Sequence, residues 1–255
     1  MLLQDVMHPK LQESKEALEK LIPCIDMVYS YYLEFNEKLR IADLYGKTIE
    51  VNERQFPRIY TVAKEIALFS DMDIIPMYVY EDFSYGIEAK GVSQPWIEIS
   101  AKTIRDLPLE QIRFLLARQY FLVKSEMVRL GAIAEQFLLL SESASMLPFN
   151  DIVSKGFKLK YSSLSRLAHY SADNYGYIAV KDMSVCINAI VALILNSVNL
   201  AANIELKSYL SQADKIDRLS DAVSMYTKMD EKIPYGPYRI KNLISFASNN
   251  KRMEN

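Results

Sequence analysis

Apolar positions recur at helical spacing over most of the chain. Between residues 10 and 40, Leu11, Leu18 and Ile22 fall on one face, and Pro23 is expected to end or kink this helix. A second helix is predicted to follow a cap at Asn52, with Phe56 and Pro57 in its first turns and its end near Asp71. It carries a stripe of period 3.6 at Ile59, Val62, Ala63, Ile66 and Ala67.

Three short segments have the composition of β-strands. They cover residues 76–80, 85–91 and 96–100, and the segment from Gly91 to Pro95 is the predicted turn between the last two. The second and third segments are half polar. We therefore expect a small sheet with one face covered by helices, whereas the other face could remain open.

Helical periodicity returns after residue 108. Residues 109–140 carry a stripe that places Gln119 toward the interior together with Ile112, Leu115, Leu116, Val123 and Met127. Pro148 and Gly156 interrupt the following segment, so several short helices are expected over residues 138–165. In the helix predicted over residues 165–181, Arg166, His169 and Asp173 share one face.

The last quarter of the chain is predicted to be mainly helical. Residues 185–202 form an apolar run, but its asparagine amides favour a buried helix over a membrane span. Residues 205–228 predict one polar helix or a pair of helices. Residues 233–239 predict a loop before a short final helix, and residues 249–255 predict a disordered tail. The expected fold class is α+β and predominantly helical.

Composition narrows the class of protein further. The chain has 255 residues, of which 50% are apolar, and only 7 glycines and 9 prolines, which is typical of an ordered, helix-rich domain. The net charge of −2 comes without a basic block, so nucleic acid is not an expected partner. The N-terminus has no signal-peptide pattern, and Cys24 and Cys186 are expected to remain reduced. These features predict a cytoplasmic protein.

The ordered set of segments resembles the M48 family of zinc metallopeptidases over roughly residues 45–248. Residues 56–60 and 76–80 are similar to the family's helix and first strand, and residues 91–100 to its edge hairpin. Residues 107–117 resemble the run that leads into the metal-binding helix, and residues 165–176 resemble the helix that supplies the third zinc ligand. The resemblance implies a zincin-like fold with a small edge sheet.

The residues that would carry zinc chemistry are replaced in this chain. Where the family has His-Glu-x-x-His, the chain has Arg118, Gln119 and Leu122, and His169 stands at the third ligand position. An arginine cannot release its proton to bind a metal, a glutamine cannot act as a general base, and a leucine has no donor atom. Only the supporting acid, Asp173, is kept. The resemblance therefore implies a pseudopeptidase without metal or other cofactor.

The resemblance also implies a binding function and a division of the chain. The expected divisions are an N-terminal helical extension at residues 1–44, a peptidase-like domain at 45–248 and a tail at 249–255. The edge strand is expected to accept an extended peptide by strand addition. The peptide or protein partner would be an active peptidase or a component of peptide maturation. The residues assigned to peptide binding are Gly86, Ile87, Ala89, Gly91 and Arg239.

Three alternatives remain open from the sequence. Arg118 either pairs with Asp173 in place of the lost cation, with His169 in the same cluster, or extends to solvent. A rebuilt metal site would need Gln119, Glu126, His169 and Asp173 to converge. A chance resemblance would leave an unrelated helical interaction protein without the edge sheet.

Overall fold

The computed structural model describes residues 3–22, 33–143 and 150–253. Pro23, Cys24 and Pro148 lie outside these ranges, so the interpretations that depend on them concern undescribed residues. The described part combines many helices with one small sheet, which confirms the α+β, predominantly helical class.

Helices account for most of the described chain. A short 3₁₀ turn spans Leu3–Asp5, and the α-helices are, in order, α1 (Leu11–Glu19), α2 (Glu34–Lys47), α3 (Pro57–Ser70), α4 (Ala101–Asp106), α5 (Leu109–Lys124), α6 (Met127–Ser143), α7 (Asn150–Val180), α8 (Met183–Leu195), α9 (Val198–Ala201), α10 (Leu206–Asp217), α11 (Ala222–Asp230) and α12 (Gly236–Met253).

The sheet has four strands in the order β1-β2-β4-β3. They are β1 (Ile49–Glu50), β2 (Met77–Tyr80), β3 (Ile87–Lys90) and β4 (Trp96–Ser100). Strand β2 runs parallel to β4, whereas β1 and β3 run antiparallel to their neighbours. The three strands predicted from the sequence are confirmed. The fourth strand, β1, was not predicted from the sequence.

Both faces of β4 are buried, so the face that could have remained open is covered at this strand. Ile97 and Ile99 point into the main core, as the period of two requires. On the other face, Trp96 packs with Tyr78 of β2 and Leu44 of α2. Glu98 on that face accepts hydrogen bonds from Arg40 of α2, with Arg40 Nη2 to Glu98 Oε2 at 2.7 Å. Helix α2 therefore covers the side that the sequence left open.

Helix α5 lies at the centre of the fold and packs against α3, α7, α8 and β3. A Cβ at Gly176 of α7 would come within 2.6 Å of Phe114 on α5, so this glycine permits the close approach of the two helices. The predicted stripe of α3 is buried in the same core.

The N-terminal segment belongs to this core as well. Val6, Leu11 and Leu18 are buried among the residues of the predicted peptidase-like domain. The His8 backbone N–H donates to Ser171 Oγ on α7 at 2.9 Å. Residues 3–22 are thus packed against α7 in one continuous core.

Several predicted boundaries are wrong. Helix α7 continues without a break from Asn150 through Gly156 to Val180, where short helices were expected. Asn52 accepts from the backbone N–H groups of Arg54 and Gln55 in a turn, and α3 begins only at Pro57. The final helix spans 18 residues and includes Arg239, which the sequence placed in a loop, and it covers residues 249–253 of the predicted tail.

Two other expectations have clear outcomes. Residues 205–228 form a pair of helices, α10 and α11, as one of the two alternatives proposed. Among the described helices, none combines the length and apolar character that crossing a bilayer requires.

Candidate functional site

Two consecutive residues at the centre of α5, Arg118 and Gln119, are polar and almost fully buried. Arg118 is 4% exposed and Gln119 is 5% exposed, and both lie among apolar neighbours such as Leu115 and Phe121. Buried polar groups are costly unless they are hydrogen-bonded, so their partners define the site. The two residues have different kinds of partner.

Arg118 belongs to a charge cluster that also contains His169, Asp173 and Arg239. Asp173, on α7, is fully buried and accepts a hydrogen bond from Arg118 Nε to its Oδ1 at 2.5 Å. Arg239, on α12, contacts the same carboxylate with Nε to Oδ2 and Nη2 to Oδ1, both at 2.8 Å. The Arg118 Nη2 atom lies 3.2 Å from His169 Nδ1. Two guanidinium groups therefore share one carboxylate.

The ionisation states in the charge cluster follow from this arrangement. Burial alone would raise the pKa of Asp173, but the charges of Arg239 and Arg118 outweigh it, so its pKa is lowered and it is ionised at neutral pH. Burial and the charge of Arg239 lower the pKa of Arg118 to about 10, which still leaves it protonated. Burial, with the charges of Arg118 and Arg239, lowers the pKa of His169 to about 3. His169 is therefore neutral.

The predicted pairing of Arg118 with Asp173 is confirmed, and His169 lies in the same cluster. The alternative, in which Arg118 extends to solvent, is wrong. The apolar part of Arg118 packs in the core, and its guanidinium lies 6.0 Å from the ring centroid of Phe114. The guanidinium is held between α5 and α7 because a carboxylate buried there requires a positive partner.

Gln119 instead completes the hydrogen bonding of strand β3. Gly86, just before β3, accepts from the Ser100 backbone N–H of β4 at 2.9 Å. By the alternation of an antiparallel pair, the polar groups of Ile87 and Ala89 then point away from β4. The Ala89 N–H donates to Gln119 Oε1 at 2.9 Å, and Gln119 Nε2 donates to the Ile87 carbonyl at 3.1 Å. One side-chain amide thus occupies the outward edge of β3.

The residues assigned to peptide binding have different contacts in the structure. Ile87 and Ala89 bond to Gln119, as described above, and Arg239 belongs to the charge cluster. The Gly86 N–H donates to Thr103 Oγ1 at 2.9 Å, within the fold. Gly91 has a φ of 96° in the turn before β4. Four of the five residues thus lie in or beside β3 and Arg239 lies on α12, and their role in peptide binding stays a prediction.

A rebuilt metal site is not assembled. Glu126 follows the end of α5, is exposed and pairs with Lys15 at 2.5 Å. Leu122 packs against the core, and His8 Nδ1 accepts from the Lys10 N–H at 3.2 Å. In the described ranges, no three His, Cys, Asp or Glu side chains are grouped closely enough to hold a metal ion.

The part that Arg239 takes in the charge cluster was not predicted. Its contact with Asp173 joins residues 66 positions apart, and no local pattern signals such a pair. Arg166, on the same face of α7 as His169 and Asp173, was placed correctly, but its contacts were not predicted. Its Nη1 donates to the Met229 carbonyl at 2.7 Å, and it also donates to the Glu231 carbonyl.

Comparisons of the chain with protein-family models, with curated proteins and with solved structures found no match.

Proposed function

We propose that the chain is a non-hydrolytic, M48 peptidase-like protein that acts by binding a protein or peptide partner. The observation that supports it best is the charge cluster. At the position where the resemblance implies the first zinc-binding histidine, the guanidinium of Arg118 bonds to Asp173, which the resemblance implies is the retained supporting acid. A fixed positive charge there opposes binding of a metal cation.

The position of Gln119 supports the same proposal. The resemblance implies that the general base stood at this position, and the amide is instead committed to Ile87 and Ala89. A peptide that added to the outward edge of β3 would have to displace this amide. Protein binding through the outer surface is therefore proposed ahead of strand addition, and an active peptidase or a component of peptide maturation is the proposed kind of partner.

Metal analysis and turnover assays test the loss of hydrolysis. The chain, purified without chelator, is expected to carry no stoichiometric zinc and to leave casein and peptide substrates intact. Stoichiometric, tightly bound zinc or substrate cleavage would overturn the proposal.

A reversion experiment tests the resemblance itself. The quadruple variant Arg118→His, Gln119→Glu, Leu122→His and His169→Glu is expected to bind zinc, because it restores two imidazoles one helical turn apart and a carboxylate. The matched control keeps Leu122 and carries the other three changes, so it lacks one imidazole and is expected to bind zinc far more weakly. Equal, weak zinc binding by the two folded variants would count against a zincin-type scaffold.

Binding to a partner is tested separately. Pull-down with a peptide library and with candidate peptidases is expected to retain a defined partner on the wild-type chain. A folded wild-type chain that retains none of them would remove the binding part of the proposal and leave the loss of hydrolysis standing.

A further inference from the structure

The charge cluster carries one net positive charge in a buried place. Arg118 and Arg239 supply two positive charges, Asp173 supplies one negative charge, and His169 is neutral. The other titratable groups that act on Arg239 are Tyr170 and Tyr209, and burial raises the pKa of both, so neither is ionised at neutral pH. An uncompensated buried charge is costly, so a second negative group would stabilise the site.

The hydrogen bonds of the charge cluster leave donors unused. Arg118 uses Nε and Nη2, and Arg239 uses Nε and Nη2, so within the described residues no acceptor contacts either Nη1 group. An arginine can only donate, so His169 Nδ1 is the acceptor of the bond with Arg118, and its proton is on Nε2. No described residue accepts from that Nε2–H. Asp173 already accepts three hydrogen bonds, one of them at Oδ2, so most of the unused capacity is donor capacity.

None of these donors is fully buried. In the described part of the chain, the fully buried side-chain atoms that lack a partner are Gln111 Oε1 and Asp230 Oδ1, and the unused donors of the charge cluster are not in that group. The side chains of Arg118 and Arg239 keep 5% and 6% of their exposure, and His169 is half-buried. The cluster thus combines positive charge, several unused donors and limited access.

We propose that the charge cluster is an oxyanion-binding site, which takes a carboxylate or a phosphate group through Arg118 Nη1, Arg239 Nη1 and His169 Nε2. An oxyanion has acceptors only, and guanidinium groups bind such groups through short, charge-assisted bonds. Arg166 lies one turn from His169 on the same face of α7, but its Nη1 donates to the carbonyls of Met229 and Glu231, so it is not counted among the free donors. The inference depends on charge and free donors alone, so it does not rest on the proposed function.

Calorimetry with inorganic phosphate tests the site, at pH 7 and at an ionic strength held constant with sodium chloride. Wild type is expected to show saturable binding. Arg118→Gln is expected to bind at least about tenfold more weakly, because it removes the net charge and one donor group, a loss that corresponds to about 1.4 kcal/mol. Asp173 keeps both bonds to Arg239 in this variant.

The matched control is Arg113→Gln on the same helix. Arg113 pairs with Glu65 and Glu110 at the surface, so the control removes an equal charge outside the cluster and is expected to keep wild-type affinity. A second variant, His169→Leu, changes no charge at pH 7 and removes the Nε2–H donor. It is expected to weaken binding severalfold, and it decides the question if Arg118→Gln does not fold.

Two further ligands distinguish the source of the anion. A short N-acetylated peptide with a free C-terminal carboxylate is compared with the same peptide as its C-terminal amide. Binding of the acid form alone supports a peptide carboxylate, whereas binding of phosphate without either peptide supports a phosphate ligand. Absence of saturable binding to wild type with every ligand, or wild-type affinity in the folded cluster variants, would overturn the inference.

Discussion

Arg118 and Gln119 are adjacent, equally buried and polar, yet they solve the problem of burial in different ways. Gln119 is neutral, and its amide donates one hydrogen bond and accepts another from backbone groups of β3. Arg118 is charged, shares Asp173 with Arg239, and belongs to a cluster with more positive charge and more donors than its partners match. Each polar atom of the neutral Gln119 amide has a backbone partner, whereas the charge cluster has a net positive charge and nitrogen atoms without a partner among the described residues.

The two residues illustrate the difference between a buried polar group that helps to specify the fold and one that suits a binding function. A balanced, fully bonded group inside a core contributes to specifying the fold and requires nothing further. A cluster with excess charge and unused donors costs stability unless something binds to it. Titratable groups with strongly shifted pKa values are concentrated at functional sites. If the two neighbouring sites differ in this way, substitutions of their residues should differ in their effects on stability and on its pH dependence.

Removal of the shared carboxylate is expected to have the largest effect. Asp173→Asn leaves two buried guanidinium groups without a negative partner and should lower the free energy of unfolding by about 3–5 kcal/mol. Urea denaturation at pH 7 measures the change. The control Asp214→Asn removes a carboxylate that pairs with Lys241 at the surface, 3.0 Å apart, and should cost less than about 1 kcal/mol. Similar losses in the two variants would show that the charge cluster is not held by Asp173.

Much of this arrangement could be predicted from the sequence, because it depends on residues that are close together along the chain. The stripe of α5 gave Gln119 its inward direction, and the spacing of residues 166, 169 and 173 gave them one face, because helical periodicity is set by neighbours along the chain. Pairing of Arg118 with Asp173 was one of two open alternatives, and it was argued from the resemblance and from the cost of a lone buried carboxylate. These are arguments about single helices and single charges.

The features that the sequence did not predict depend on tertiary contacts, or on proline and glycine residues that occur both in loops and in helices. Pro237 was interpreted as part of a loop, but it lies in the first turn of α12, where a missing N–H costs nothing, and so Arg239 is helical. Gly156 was interpreted as a break and is a residue within α7. The cover of the sheet by α2 depends on Arg40 reaching Glu98, 58 positions away, which no local pattern indicates.

Removal of the Gln119 amide is expected to have an intermediate effect. Gln119→Leu keeps most of the volume but leaves the Ala89 N–H and the Ile87 carbonyl without partners, which should cost about 1–3 kcal/mol. Urea denaturation measures the loss, and hydrogen exchange is expected to be faster at the Ala89 amide in the variant.

The control for that measurement is Gln212→Leu, which changes an exposed glutamine on α10 and should stay within about 0.5 kcal/mol of wild type. If Gln119→Leu matches the control and exchange at Ala89 is unchanged, the edge of β3 is closed by something other than this amide, and the contrast with Arg118 fails.

The smallest effect at neutral pH is expected at His169, and it grows as the pH falls. Arg118 from α5, Arg239 from α12, and Asp173 and Tyr170 from its own helix act in this region, and burial with the two arginines keeps the folded pKa at about 3. An ordinary histidine has a pKa of about 6.5, so below that pH His169 binds a proton in the unfolded chain but not in the folded chain. The contribution of His169 to the free energy of unfolding is therefore fully present above about pH 6.5. It is lost as the pH falls toward 3, by up to about 1.4 kcal/mol per pH unit.

His169→Gln removes this dependence and keeps an acceptor for Arg118, so its unfolding free energy should vary less with pH than that of wild type. His8→Gln is the matched control, because burial followed by the charge of Lys10 also lowers the pKa of His8, and this partly exposed ring should contribute a smaller slope. Urea denaturation from pH 7 to pH 5 measures all three chains. A wild-type slope that His169→Gln leaves unchanged would mean that the imidazole titrates in the folded chain as it does in the unfolded chain, and the charge cluster would then carry two excess positive charges at pH 5 rather than one.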